Sequence, residues 1–235
     1  MLLPIRDHNP SERFPYVTLG LIAVNIIVFI LQLLDERITT VYAAIPAEIT
    51  GAPVNPLVRM QLALEHGTRT EPIVSPWLTI LTSMFLHGGY LHIIGNMWSL
   101  WIFGNNVEDA LGHFRYLLLY LFWGVMAALS HIVFNWASPI PVVGASGAIA
   151  GVMGAYLLLF PHARIDCVLL FVIITFVEVP AIVFLIFWFV SQFLVYNPGV
   201  AYLAHIGGFV AGFLVIKAMG GPRHILQGRR RRYYY

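Results

Sequence analysis

The sequence predicts an all-α membrane protein: a bundle of six transmembrane helices with a long first external loop. Three observations lead there. Of the 235 residues 59% are hydrophobic and only 10% are charged, with a mean hydropathy of +0.80, whereas soluble domains carry about a quarter charged residues. The charges that do occur are clustered and leave long uncharged gaps, and a lipid-exposed helix needs roughly 17 to 25 residues free of uncompensated charge. Turn-forming residues then divide the gaps that are too long for one span. A soluble globule, a disordered chain and a collagen-like fibre are excluded together, since each needs a more polar or more repetitive sequence. The single cysteine, Cys167, excludes an internal disulfide and a multi-thiolate metal site.

Each element follows from the charge pattern in turn. Residues 1–13 hold Arg6, Asp7, Glu12 and Arg13 and are read as a cytoplasmic N-terminal segment. Phe14 to Leu34 is uncharged with no small-residue cleavage site behind it, so it is a retained first span rather than a cleaved signal peptide. Asp35 to Glu71 forms the first external loop, where Glu48, Pro53, Pro56 and Gly67 predict short helical pieces. Pro72 to Val107 is uncharged over 36 residues and holds the second span, near 91–107, behind an apolar approach segment. Tyr116 to Ala163 is uncharged over 48 residues; Asn135, Pro139 and Pro141 split it into helices near 115–134 and 146–160.

Cys167 to Val177 is apolar but only 11 residues long, too short to span, and is read as an interfacial or re-entrant piece. Glu178, beside Pro180, reads as a helix N-terminal carboxylate. Val179 to Ile216 is broken by Asn197-Pro198-Gly199 into spans near 179–195 and 200–218, and residues 219–235 make a basic tail. Six spans put both termini on one side of the membrane. That side carries ten of the 13 Lys and Arg residues, including the run Arg229 to Arg232, against Arg37, Arg59 and Arg69 on the other. Both termini are therefore expected in the cytoplasm, the membrane is expected to be the cell membrane, and the terminal arginines suit an anionic leaflet better than nucleic acid. No internal repeat is visible, which speaks against a secondary transporter.

Three polar clusters interrupt the apolar spans. The fourth helix opens with Val143-Gly144-Ala145-Ser146-Gly147-Ala148-Ile149-Ala150-Gly151. Small residues at 147, 151 and 154 or 155 share one helical stripe along which a neighbouring backbone can approach closely. The flanking glycines permit a tight turn and let the Ser146 N–H point at a bound group. The motif alone does not separate a nucleophile from an incidental serine on a packing helix.

The sixth helix carries Ala204-His205-Ile206-Gly207-Gly208-Phe209-Val210-Ala211-Gly212, with Gly208 and Gly212 on the face of His205. Packing the two small-residue stripes together would bring imidazole to hydroxyl, the pairing that nucleophilic attack on a carbonyl requires. Taken singly, His205 could instead hydrogen-bond a neighbouring helix. On the second helix His92 and Asn96 stand at i and i+4, after His87. Both can donate to the oxygen of a tetrahedral intermediate, or simply bond helix to helix. Metal ligation by His87, His92 and His205 is disfavoured, because no carboxylate or thiolate joins them and their spacing matches no zinc motif. With no Asp or Glu between Glu71 and Glu108 or after Glu178, a Ser-His dyad is more economical than a triad. Glu108 and Asp109, at the end of the second helix, are read as solvated or bonded to another helix rather than catalytic.

The combination resembles the rhomboid family of intramembrane serine proteases. The resemblance rests on H-x-x-x-N at His92 and Asn96, G-x-S-G-x-x-x-G at Gly144, Ser146, Gly147 and Gly151, and A-H-x-x-G-x-x-x-G at Ala204, His205, Gly208 and Gly212. These fall in the family's order on the second, fourth and sixth spans, so residues 14–218 would be a six-helix rhomboid protease domain. The resemblance implies Ser146 as nucleophile, His205 as general base and acid, and an oxyanion hole of His92, Asn96 and the Ser146 N–H. His87, Gly144, Gly147, Gly151, Gly208 and Gly212 would support the site, and Glu108 the end of the second helix. It implies single-span membrane proteins as substrates, membrane lipids as surroundings, and no metal, organic cofactor or nucleic acid. A catalytically silent, client-binding relative would share the fold but usually lacks the serine or the histidine. The chain departs from the family in lacking the Trp-Arg pair of the first external loop; Leu57-Val58-Arg59 and Trp77 stand apart.

Overall fold

A computed structural model describes residues 2–58, 60–61, 74–170, 174–195, 197 and 199–230. The element order is β1 (Leu2–Asp7), α1 (Tyr16–Leu34), α2 (Arg37–Tyr42), α3 (Pro46–Thr50), α4 (Thr79–Thr82), α5 (Tyr90–Leu111), α6 (His113–Phe134), α7 (Ser146–Leu159), β2 (Arg164–Leu170), β3 (Ile174–Pro180), α8 (Ala181–Leu194), α9 (Tyr202–Ala218) and α10 (Gly221–Arg230). The helices α1 and α6 are each long and apolar enough to cross a membrane. The α9 helix with Gly221–Gln227 makes a bent third candidate, while α7 and α8 are shorter apolar helices. Polarity is arranged as lipid demands. On α1 the polar Thr18, Asn25 and Gln32 are buried at seven-residue intervals, while Ile26, Ile27, Ile30 and Leu33 face outward. These are the helices of an integral membrane protein.

At the centre stands α7, which buries 11 of its 14 residues and packs against α5, α6 and α9. It can be short because it is enclosed by protein, and it can be central because its side chains are small. The Gly147 carbonyl fills the space a Gly208 side chain would need, the Gly151 carbonyl fills that of Gly212, and the Phe209 carbonyl that of Gly154. The backbones of α7 and α9 therefore touch, the close approach that small residues allow within a bilayer. Bulk is supplied from α6: Trp123 packs on Gly151 and Ala127 on Gly147.

Glu108, fully buried near the end of α5, bonds one helix to another. Its carboxylate accepts the N–H of Val17 (2.9 Å) and of Thr18 (2.8 Å), and the Thr18 hydroxyl (2.7 Å). These are N–H groups that the first turn of α1 cannot satisfy itself, and a negative charge is favourable at that end.

The expectation of an all-helical chain is corrected: the protein is mostly helical, with a three-stranded antiparallel sheet in the order β1-β2-β3. The run Cys167 to Val177, expected as an interfacial or re-entrant piece, contributes to the strands β2 and β3, with residues 171–173 outside the described set. Too short to span as a helix, it is rich in Val, Ile and Phe, and its strands pair Cys167 with Val177 and, just beyond the run, Ile165 with Val179. Alternation turns Ile165 and Cys167 into the core, both fully buried, and turns Asp166 out toward Arg6 (2.7 Å) and His8 (2.8 Å) of the N-terminal segment. Glu178, expected at a helix N-terminus, lies in β3 beside Arg164 (3.4 Å), because Pro180 delays the helix to Ala181.

The sheet is fastened to the bundle. The Trp98 Nε1–H donates to the Pro4 carbonyl at 2.7 Å. The Asp7 carboxylate accepts from the Tyr156 hydroxyl at 2.6 Å and the Asn106 amide at 2.7 Å. In the first loop α2 and α3 are the short helices expected there; Arg59 and residues 62–73 lie outside the described set, as do Tyr196, Pro198 and the end of the tail, residues 231–235.

Candidate active site

Ser146 owes its place to residues that cannot be helical. Pro139 and Pro141 keep the preceding segment extended, and Val142 exchanges backbone hydrogen bonds with Ala44 at 2.8 and 3.1 Å. Gly144 adopts φ +132°, a setting that L side chains rarely reach, and its N–H donates to the Ser83 carbonyl at 2.9 Å. The helix then begins at Ser146, behind a fully buried Ala145. A helix start inside the fold leaves first-turn N–H groups without intrahelical partners and pointing at whatever lies ahead of it.

His205 lies in the first turn of α9, level with Ser146 because Gly208 sits on Gly147 and Gly212 on Gly151. Its Nε2 is 2.8 Å from Ser146 Oγ, and its Nδ1 is 2.8 Å from Gln192 Oε1 on α8. The indole of Trp188 covers one side of the imidazole (ring centroids 5.8 Å, 37°) and Tyr202 stands edge-on at 6.4 Å. Ser146 and His205 are both half-buried, so the pair is neither sealed in the core nor fully exposed.

His92 enters from the other side, at the start of α5. Its Nδ1 accepts the Gly88 N–H at 3.2 Å, which puts the ring proton of the neutral imidazole on Nε2. That Nε2 stands 2.8 Å from where a Gly144 Cβ would be, a point itself 3.5 Å from Ser146 Oγ. Asn96, one turn further along α5, is buried, and its Nδ2 has no partner among the described residues. His87 is buried behind His92, ring to ring at 5.2 Å and nearly perpendicular. The His87 backbone is pinned by Gln32 of α1: Gln32 Oε1 accepts its N–H at 3.0 Å and Gln32 Nε2 donates to its carbonyl at 3.1 Å. Gly144 has no room for a side chain beside His92, and Gly147, Gly151, Gly208 and Gly212 are the contact points of α7.

Ser146, His205 and His92 thus surround one small volume, with Asn96 one turn beyond His92, while among the described residues no three His, Cys, Asp or Glu side chains are placed to hold a metal ion. Two residues escaped the reading of the sequence, Gln192 and Gln32. Each is a polar side chain within a mostly apolar helix, which is itself a signal, since such groups seek partners away from lipid. The partners that give them meaning, His205 for Gln192 and His87 for Gln32, however, lie on other elements. Chemically, a hydroxyl within hydrogen-bond reach of an imidazole, beside neutral N–H donors, can attack a carbonyl and stabilise the oxygen that becomes charged.

A family model described as the Rhomboid domain matches residues 75–221. Among curated proteins the chain is 34% identical over 186 residues to Rhomboid protease GluP of Bacillus subtilis, covering 78% of this chain and 34% of that protein. It is 31% identical over 150 residues to Rhomboid protein 1, mitochondrial, of Saccharomyces cerevisiae, covering 60% and 41%. With RHOMBOID-like protein 4 of Arabidopsis thaliana it shares 35% identity over 137 residues, covering 58% and 32%. The chain therefore spans only about a third to two fifths of the length of these relatives.

Proposed function

The chain belongs to the rhomboid family, and from that premise we propose that it is an intramembrane serine endopeptidase. Ser146 Oγ attacks the carbonyl of a scissile peptide bond while His205 Nε2 takes its proton. The same nitrogen then returns the proton to the leaving amine, and water, activated by His205, hydrolyses the acyl-enzyme. The oxyanion of the intermediate is met by Nε2–H of His92, Nδ2–H of Asn96 and the Ser146 N–H, donors that add no net charge inside the bilayer. Each such donor is worth about 10²- to 10³-fold in rate. The chemistry calls for no metal or organic cofactor, and nucleic acid has no part in it.

The observation that carries this reading is the 2.8 Å approach of Ser146 Oγ to His205 Nε2, between side chains 59 residues apart on helices held together by backbone contact. Packing of small residues alone would not require the hydroxyl and the imidazole to meet end to end. The substrates we infer are single-span membrane proteins reaching the site from the surrounding lipid. The helices α1, α5, α6, α7, α8 and α9 are taken as six spans, with both termini in the cytoplasm and the cell membrane as the location.

The test is cleavage of a model single-span substrate by purified protein in detergent, wild type beside Ser146→Ala and His205→Ala. Cleavage that disappears in both variants is the expected result. If the wild type cleaves nothing across a substrate panel and a serine-reactive phosphonate leaves Ser146 unlabelled, the protease reading falls. A client-binding role, open to any chain with this fold, would then take its place.

A further inference from the structure

His205 and His92 both turn Nε2 toward Ser146, yet the proposed chemistry asks opposite things of them. His205 must present a lone pair and His92 a proton. A neutral imidazole can carry its hydrogen on either nitrogen, and the partner of the other nitrogen decides which. For His92 that partner is a donor, the Gly88 N–H. For His205 it is Gln192, whose amide could in principle present either end.

The surroundings of Gln192 remove that freedom. Its Nε2 lies 3.0 Å from the Trp188 carbonyl and 3.1 Å from Ser191 Oγ. The carbonyl oxygen can only accept, and the Ser191 hydroxyl spends its hydrogen on the same carbonyl at 2.6 Å, leaving its own oxygen as an acceptor. A flipped amide would set oxygen against two acceptors. The Gln192 amide nitrogen therefore faces Trp188 and Ser191, and its Oε1 faces His205 Nδ1 at 2.8 Å. Oxygen there accepts, so Nδ1 carries the hydrogen and Nε2 keeps its lone pair for Ser146 Oγ.

We propose that Gln192 is a positioning residue for His205, selecting through the relay Trp188 carbonyl, Gln192 amide, His205 Nδ1–H the tautomer that can take the Ser146 proton. The inference rests on the reading of Ser146 and His205 as a dyad. Gln192 does the orienting work of a carboxylate third member without placing an anion among apolar helices, where an unpaired charge is expensive. It is buried and touches neither the hydroxyl nor the reacting carbonyl. Because it belongs to α8 while Ser146 belongs to α7, it also makes the state of the base depend on how α8 is seated.

The experiment uses full-length protein, with Gln192→Met, which keeps length and removes the acceptor, and Gln192→Glu, which keeps an acceptor and adds charge. Nitrogen-15 NMR of histidine-labelled protein reads the His205 tautomer without any substrate. The wild type should show hydrogen on Nδ1, and Gln192→Met a mixture of the two forms. In cleavage assays Gln192→Met should lose roughly 10- to 100-fold in kcat, with KM within about twofold and an unchanged melting temperature. Gln192→Glu should recover most of that loss. The acid limb of its pH profile should move to higher pH, because a carboxylate beside the ring favours imidazolium, which cannot act as the base. That shift follows from the added charge alone; a purely structural glutamine is told apart by the tautomer, which would then be the same in wild type and Gln192→Met.

A wild-type His205 with hydrogen on Nε2 overturns the proposal even if no variant folds. So does a Gln192→Met enzyme with full kcat, or a Gln192→Glu enzyme as impaired as Gln192→Met. A wild type that shows hydrogen on Nδ1 but cleaves nothing supports the positioning and removes the protease reading, so the two failures are told apart.

Discussion

At the scale of single residues, the site depends on neighbours that carry no reactive group. Gly144 is the sharpest case, since its φ of +132° and its contact with His92 Nε2 both exclude a side chain. Gly144→Ala should destabilise the fold by about 1–3 kcal/mol through backbone strain. It should also push His92 away from Ser146 and lower the cleavage rate by at least about tenfold, within the worth of one oxyanion donor. Melting and cleavage measured side by side would check this, and full activity in the alanine variant would remove His92 from the oxyanion hole. Glycine at 144, serine at 146 and histidine at 205 could be picked out of the sequence because each stands in a short local pattern of small residues. Gln192 could not be, because its meaning is the Nδ1 of a ring 13 positions away across a turn.

Among the elements, the pairing of α7 with α9 sets the distance between Ser146 and His205. A methyl group at position 212 would occupy the space of the Gly151 carbonyl, whereas one at Gly20 on α1 would meet nothing within 4 Å. Gly212→Ala should therefore cost about 1–3 kcal/mol and reduce cleavage by spreading α7 from α9. Gly20→Ala should be neutral or stabilising by up to about 1 kcal/mol. Equal melting temperatures for the two variants would contradict the backbone contact described above. The hairpin of β2 and β3 shows where element assignment by hydropathy fails. An 11-residue apolar run looks the same whether it lies along a membrane or alternates across a sheet, and only the pairing of Leu3 with Val168 and of Cys167 with Val177 distinguishes the two.

For the molecule as a whole, the N-terminal strand joins the sheet to the helix bundle through the Pro4 carbonyl and the Asp7 carboxylate. Burial raises Asp7 above the usual carboxylate range, outweighing the Tyr156 hydroxyl that donates to it. A carboxyl whose pKa is higher in the folded chain than in the unfolded one stabilises most when protonated, and that contribution is lost as pH rises through the folded value. Asp7→Asn keeps an acceptor for Tyr156 and Asn106 and has nothing to ionise. It should melt higher than wild type at pH 7 in detergent, and the gap should close as pH falls through the raised Asp7 pKa. A gap that stays constant with pH would show that the Asp7 charge is not what strains the junction.

What the sequence determined by itself was the membrane class, the positions of the six longer helices to within a few residues, and the polar clusters on which the proposed chemistry rests. Hydropathy, charge gaps and helical spacing are local properties, and lipid enforces them strongly. Which surfaces meet was decided only in three dimensions. The Gly147 and Gly151 carbonyls against α9, the strand β1 beside β2, the Glu108 carboxylate on the first turn of α1, and the Gln192 amide on His205 all join residues from different elements. Each is a short-range contact whose energy depends on distance and direction, and neither is written in the order of residues along one chain.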